Sequence, residues 1–302
     1  MSQESAALYR MIAIDLDGTL LSPRGTVTQR TREAAHKALE AGLLVCFATG
    51  RNFTESSAVL DEVAHHGAAV FVGGAMVIDT KRRVTLHRTM MEPKLAAEIC
   101  TELEAAGHAA LALQDTATAG CDYLVSAAIE IDPETAAWMR VTNAVWKPVG
   151  DLTQPNRHEH TIRVGMVSSR EVIEPVKRSL EERFKERIYL QSVVVPTKNV
   201  EVLEVFDPSV NKWEGILLVA RHHGIDPAEI IAIGDDVNDL HMIRNAGLGV
   251  AMGNARPEVR SIAKRVIGSN QDDGLAEFLE ELVATHAVQP LNEDEDPSTE
   301  AA

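Results

Sequence analysis

Two short acidic segments, each following an apolar run, hold the residues of this chain best suited to chemistry. The first is MIAIDLDGTLLS (11–22), in which Asp15 and Asp17 stand two apart at the end of a strand-like stretch. In an extended chain that spacing puts both carboxylates on one side, so they could work as a pair. The second is GDDVND (234–239), where Asp235 and Asp239 are four apart and could face one ion from a starting helical turn. Two further strand-to-loop junctions carry Thr49-Gly50-Arg51, after LLVCFA, and Lys212, in DPSVNKWEG. A carboxylate can attack phosphorus and carry the phosphoryl group covalently, which splits one hard step into two. A second carboxylate can protonate the leaving oxygen and later deprotonate water. The Thr49 hydroxyl and the Lys212 ammonium would orient and neutralise the transferring group. Taken alone, DLDG also reads as an acidic hairpin turn, and Asp235 or Asp236 as a helix cap.

Charge narrows the chemistry. Asp15, Asp17, Asp235, Asp236 and Asp239, gathered at one sheet edge, would repel by about 4 kcal/mol per pair at about 4 Å and an effective dielectric of about 20. Such a cluster needs a cation. Oxygen-only ligands select a hard ion, and Mg²⁺ characteristically takes one or two carboxylates plus water and phosphate oxygens. The GDDVND loop lacks the glycine and the distal glutamate of an EF-hand, which disfavours a structural calcium loop.

The elements that must position these groups alternate. MIAID reads as a strand, TQRTREAAHKALEAG as a helix capped by Thr28 and closed by Gly42, LLVCFATGR as a strand, 54–65 as a helix and AAVFVGG as a strand. The inner face of the first helix is expected to hold Ala34, Ala35, Ala38 and Leu39. Past residue 230 the alternation resumes with EIIAIGDD, NDLHMIRNAG, LGVAM, PEVRSIAK and RVIGS. The middle differs, with helical stretches at 93–106, 132–142 and 171–186 among strands such as HTIRVGMV and IYLQSVVV. The simplest organisation is an α/β domain split in sequence, a parallel sheet with helices on both faces, carrying an inserted α+β domain. Ligands of such sheets bind beyond the carboxyl ends of the strands, where all four junctions fall. Gly18 is expected to turn the chain into a short hairpin-like flap, TLLSPRGTVT.

Composition excludes several classes. A net charge of −16 repels nucleic acid and anionic membranes. The tail QPLNEDEDPSTEAA carries five of those charges and few large apolar groups, so it is expected to be disordered. No apolar run approaches a membrane span, and the N-terminus lacks a secretion pattern. Cys46, Cys100 and Cys121 are scattered and form no CxxC pair, which fits a reducing cytoplasm. In NRHEHTIRV, residue 162 is Ile, so no HExxH zinc motif exists, and His158 and His160 read as a solvated strand start. His65-His66 and His222-His223 read as partly charged groups at helix C-terminal ends. Trp138 and Trp146 read as core, and no Walker motif occurs.

Taken in order, DLDGTL, TGR, NKWEG and GDDVND resemble the four motifs of the haloacid dehalogenase superfamily, and GVAMGNARPEVRSIAKRVIGSNQDDGL is similar to its Cof-type subfamily. The resemblance implies a Rossmann-like, doubly wound core over 10–83 and 197–286 and a substrate-selecting cap over 84–196; the ends at 1–9 and 287–302 are expected to be disordered. Members are mostly Mg²⁺-dependent phosphatases of small phosphorylated metabolites, often sugar phosphates. Carried over by position, Asp15 is implied as nucleophile and Asp17 as acid/base, with Thr49, Gly50 and Lys212 holding the phosphoryl group and Asn238 beside it. Asp15, the backbone carbonyl of Asp17 and Asp235 would ligate Mg²⁺, and Asp239 would support the ion through water. Aspartate at 17 favours phosphatase or phosphomutase chemistry over the ATPase, phosphonatase and dehalogenase branches. Two departures stand out: Asp236 where the subfamily often has asparagine, and Gly73 where it usually has asparagine before Gly-Ala, expected to touch the strand end more than the chemistry. Arg51 could reach the phosphate or form a surface ion pair. A phosphomutase excluding water is the enzymatic rival. A regulatory protein phosphorylated on aspartate is the other, opposed by Asp17 and by the large insertion.

Overall fold

The apolar run Met11–Ile14 is buried at all four positions, as befits a strand covered on both faces. It is β1 of a computed structural model that describes residues 9–195 and 200–285. The expected disorder of 1–9 and 287–302 lies outside the described residues, except at Tyr9, which makes a β-bridge. After β1 comes α1 (Gln29–Glu40), whose Thr28 cap accepts from the Thr31 N–H, and then β2 (Leu44–Phe47). Asn52 and Glu55 form a reciprocal capping box that starts α2 (Phe53–Glu62). β3 (Ala68–Phe71), β4 (Met76–Asp79) and β5 (Val84–Arg88) form a three-stranded sheet.

The chain continues through α3 (Pro93–Ala105), β6 (Leu111–Gln114), α4 (Thr116–Ala119), β7 (Tyr123–Ser126), α5 (Pro133–Met139), β8 (Trp146–Val149), β9 (Thr161–Ser168), α6 (Arg170–Phe184), β10 (Tyr189–Val195) and β11 (Val200–Phe206). These strands form one sheet in the order β10-β11-β9-β6-β7-β8, antiparallel except for β7 with β8. Val164, Met166, Leu203 and Val205 share a core with Ile99, Leu103, Ile173 and Leu180 of α3 and α6. Tyr123 stacks on Trp146 with ring centroids 4.4 Å apart and Trp138 packs edge-on to both; Trp138 is buried as a core residue, whereas Trp146 is half-buried at the edge of this cluster.

The chain then returns with α7 (Lys212–His222), β12 (Ile230–Gly234), α8 (Leu240–Asn245), β13 (Leu248–Ala251), α9 (Pro257–Ile262), β14 (Arg265–Val266) and α10 (Gly274–Ala284). The first and last segments share a parallel sheet in the order β14-β13-β12-β1-β2, which the bridge Ala48–Val70 links to β3. The α/β class with a parallel core and additional sheets is therefore what the chain adopts. Two units result: one runs to Leu86 and resumes at Asn211, and the other is His87–Val210. β11, which falls inside the segment 197–286 assigned to the core, pairs instead with β9 and β10 in the second unit. Among the described residues, no helix is long and apolar enough to cross a membrane.

Three local expectations change. Leu39 is 38% exposed, while Ala34, Ala35 and Ala38 are buried, because the inner face of α1 is narrower than its apolar count suggests. TLLSPRGTVT forms no hairpin strands: Leu20 and Leu21 N–H close a wide turn onto the Asp15 and Leu16 carbonyls, and a second turn ties Ser22 to Thr26. His158 is not solvated but fully buried, with its ring between the Leu152 carbonyl at 2.7 Å and the Thr161 hydroxyl at 3.0 Å.

Candidate active site

β1 lies between β12 and β2, pairing Ile14 with Ile233 and with Phe47. The chain order reverses at β1, which makes its carboxyl end a switch point where ligands of open parallel sheets bind. Register alone therefore sets Asp15 beside Gly234-Asp235 on one flank and Ala48-Thr49 on the other. The Asp15 N–H donates to the Ile233 carbonyl at 3.0 Å, and the Ala48 N–H to the Ile14 carbonyl at 2.9 Å.

The two carboxylates of DLDG meet different environments, since the wide turn begins directly after Asp15. Asp15 is buried, and its Oδ1 accepts from Lys212 Nζ at 2.5 Å. Asp17 is half exposed, and both its oxygens accept from the Arg51 guanidinium, at 2.5 and 2.8 Å. Arg51 thus forms the ion pair that was one of its two expected roles. Gly18 has φ +80°, and a Cβ there would stand 2.2 Å from Asp235 Oδ2, so only glycine lets the turn approach the second acidic loop.

Lys212 opens α7 and is buried, with its three donors directed at Asp15 Oδ1, Asp239 Oδ1 at 2.6 Å and Asn238 Oδ1 at 3.4 Å. Asp239 Oδ2 accepts from the Asp235 and Asp236 N–H groups at 2.9 and 3.0 Å. Asp235 Oδ1 accepts from the Thr19 hydroxyl at 3.1 Å. Asp236 caps the short turn Val237–Asp239 and pairs with Arg256 at 2.5 Å, so it serves as a cap. Thr49 is buried, its hydroxyl accepting from the Arg51 N–H at 3.1 Å, and a Cβ on Gly50 would stand 3.9 Å from Asn238 Nδ2.

Burial pushes the Asp15 carboxyl well above the ordinary carboxylate range; Lys212 opposes this, and Asp239 and Asp235 add to it. Burial and the Asp239 charge likewise push Asp235 up to about 7, against the Thr19 hydrogen bond. Burial works to lower Lys212, yet Asp15 and Asp239 together hold it above the usual lysine range. Asp15, Asp235 and Asp239 each offer an oxygen within 4.8 Å of the others. Three carboxylates against one ammonium leave two uncompensated negative charges, which one divalent cation would cancel. An all-oxygen donor set fits a hard ion. The Asp17 carboxylate is not in this group.

Asn254, in GVAMGNARPE, escapes the sequence reading. Its Nδ2 donates to the Gly18 carbonyl at 2.8 Å and lies 3.4 Å from Asp235 Oδ2, so it ties the two acidic loops together. Its only signal is an asparagine at a fifth strand-to-loop junction, after LGVAM. Among the described residues, no histidine joins the acidic cluster. Burial lowers His65 to about 4, so it is neutral rather than partly charged at neutral pH.

A sequence profile of haloacid dehalogenase-like hydrolases matches residues 12–279. The chain is 29% identical over 275 residues to the 5-amino-6-(5-phospho-D-ribitylamino)uracil phosphatase YitU of Bacillus subtilis, covering 90% of this chain and 96% of that one. It is 26% identical over 275 residues to the HMP-PP phosphatase of Serratia proteamaculans, covering 90% and 95%. A solved haloacid dehalogenase-like hydrolase from Bacteroides thetaiotaomicron shares the fold with a TM-score of 0.76 at 23% identity, over 91% of this chain and 99% of that one. Motif order, fold and profile agree, and the chain belongs to the haloacid dehalogenase superfamily as a Cof-type phosphatase.

Proposed function

We propose that this phosphoric monoester hydrolase removes phosphate from a small phosphorylated metabolite in the cytoplasm, using Mg²⁺ and an aspartyl-phosphate on Asp15. The observation that carries the reading is the buried Lys212 ammonium shared by Asp15 and Asp239, with Asp235 completing the acidic cluster. Asp15 Oδ1 is held by Lys212, which leaves Oδ2 to attack phosphorus. A new oxygen–phosphorus bond forms as the ester bond breaks, and Asp17, which enters the cycle free of Arg51 and protonated from solvent, gives that proton to the departing oxygen. Asp17 then takes a proton from water, whose oxygen displaces Asp15 and frees inorganic phosphate. Thr49, Gly50, Lys212 and Asn238 hold the phosphoryl oxygens through both steps. Asp15, the Asp17 carbonyl and Asp235 would hold Mg²⁺, with Asp239 supporting it through water, and the ion would supply positive charge that keeps the buried carboxylates ionised and orients the phosphate.

The substrate class is a phosphomonoester such as a sugar phosphate; the 5-phospho-D-ribityl group in the name of the Bacillus subtilis relative is of that kind. Substrate selection is assigned to the inserted unit His87–Val210. The test is p-nitrophenyl phosphate turnover with and without Mg²⁺. Wild type should release free phosphate, EDTA should silence it with Mg²⁺ restoring it, and Asp15→Asn should abolish it. Undiminished turnover in Asp15→Asn would sink the mechanism, and transfer without free phosphate would mark a phosphomutase.

A further inference from the structure

The loop after β3 holds three successive residues in the left-handed region: Val72 at φ 54°, Gly73 at 65° and Gly74 at 110°. A β-branched residue there is a true outlier, and it persists only where its surroundings over-determine it. Here they do. The Val72 N–H donates to the Arg51 carbonyl at 2.9 Å and the Gly73 N–H to the Thr49 carbonyl at 3.0 Å, so the loop grips both ends of the TGR segment. Its other side abuts the start of α7. A Cβ on Gly74 would stand 2.0 Å from the Asn211 carbonyl oxygen and 2.9 Å from the Lys212 nitrogen. One turn on, a Cβ on Gly215 would stand 2.5 Å from Val70 Cγ1. The loop is therefore wedged, backbone against backbone, between the segment bearing Thr49 and the residue bearing Lys212.

We propose that Val72-Gly73-Gly74 is a positioning clamp that sets the separation between the Thr49 hydroxyl and the Lys212 ammonium, and with it the phosphate cradle. The inference rests on Thr49 and Lys212 holding the phosphoryl group; the clamp residues themselves touch no substrate. Lys212 Nζ is anchored to Asp15 and Asp239, so a shift at the start of α7 must be taken up along its side chain. Gly73 differs from Gly74 in what it tolerates. Its αL conformation is one that asparagine adopts readily and valine does not, whereas Gly74 has no room for any side chain.

The test uses the full chain with Mg²⁺, reading inorganic phosphate affinity by calorimetry and p-nitrophenyl phosphate kinetics for Gly74→Ala, Gly73→Val and Gly73→Asn. Gly74→Ala and Gly73→Val should weaken phosphate and raise KM on the order of tenfold to a hundredfold, as expected for misplacement by about an ångström. Gly73→Asn should stay close to wild type. A merely structural loop would instead lower the folded fraction and kcat, leaving the phosphate Kd unchanged. Wild-type affinity in Gly74→Ala, or a loss in Gly73→Asn as large as in Gly73→Val, overturns the clamp. If Gly74→Ala does not fold, the Gly73 pair decides. Wild type that binds phosphate without hydrolysing the ester removes the phosphatase reading and leaves the clamp to the Kd comparison. Wild type that binds no phosphate overturns both.

Discussion

Replacing Asp235 by asparagine should stabilise the metal-free protein while removing its response to Mg²⁺. Burial and the neighbouring Asp239 charge raise Asp235 from an ordinary 3.8 to about 7, against the Thr19 hydrogen bond. The fold holds this proton more tightly than the unfolded chain does. The stability it contributes is full below about pH 4 and is lost as pH rises towards 7. At about 1.4 kcal/mol per pKa unit, ionised Asp235 costs the metal-free fold about 4 kcal/mol above pH 7. Asparagine removes the charge but cannot accept equally well from Thr19 and Asn254, which costs about 1 kcal/mol. The variant should therefore be about 3 kcal/mol more stable than wild type at pH 8 in EDTA, an advantage smaller by roughly 2 to 3 kcal/mol at pH 5. Urea unfolding of both proteins at the two pH values measures this, and taking their difference cancels the titrating groups that Asp235 does not touch, while relief of Asp15 adds to the gain in the same direction. Saturating Mg²⁺ should raise the stability of wild type and leave the variant unmoved. A variant less stable than wild type at pH 8 in EDTA, or an equal Mg²⁺ shift in both, would refute the electrostatic account of the cluster.

Gly18→Ala forces a Cβ to within 2.2 Å of Asp235 Oδ2 at a φ of +80°; it should lower kcat/KM about tenfold or more and abolish the Mg²⁺-dependent melting shift, whereas normal kinetics would show that the turn can yield. His65 is lowered from 6.5 to about 4 by burial, so the unfolded chain takes the proton first. Stability should be intact above about pH 6.5 and fall by about 3 kcal/mol down to pH 4. His65→Leu should flatten that slope in urea unfolding, and an unchanged slope would assign it elsewhere. In the second unit, Arg163 and Glu204 form a buried ion pair, with Gln191 also donating to Glu204 at 2.6 Å. Arg163→Met should cost about 3 to 5 kcal/mol by stranding the carboxylate, and the double variant with Glu204→Leu should recover most of it; simple additivity of the two losses would contradict the pairing.

Much of the core was legible because its signals are local. The uninterrupted apolar runs of β1 and β12, the Thr28 cap and the polar residues after each strand are read one segment at a time. What escaped depends on packing across the chain. Leu39 looks like a core residue until the buried face of α1 proves to hold only Thr31, Ala34, Ala35 and Ala38. His158 looks solvated at a polar strand start, yet it is fully buried and held by the Leu152 carbonyl. The misplaced boundary before β11 has the same origin, since a strand's sheet is chosen by its partners and not by its own residues.

The site makes the point most sharply at its glycines. Lys212 can be singled out by type and motif, but its burial depends on Gly74 and Gly215 allowing α7 to close onto β3 and the loop that follows it. Asp239 reaches Lys212 because Gly234 leaves room for its carboxyl, where a Cβ would stand 2.4 Å away, and Gly18 does the same for Asp235. Lys212, Asp239 and Asp235 are thus set in place by residues that can do no chemistry. The composition of a motif names the first kind of residue directly. The second kind is defined only by which backbone passes within contact of it, and that is a property of the folded chain.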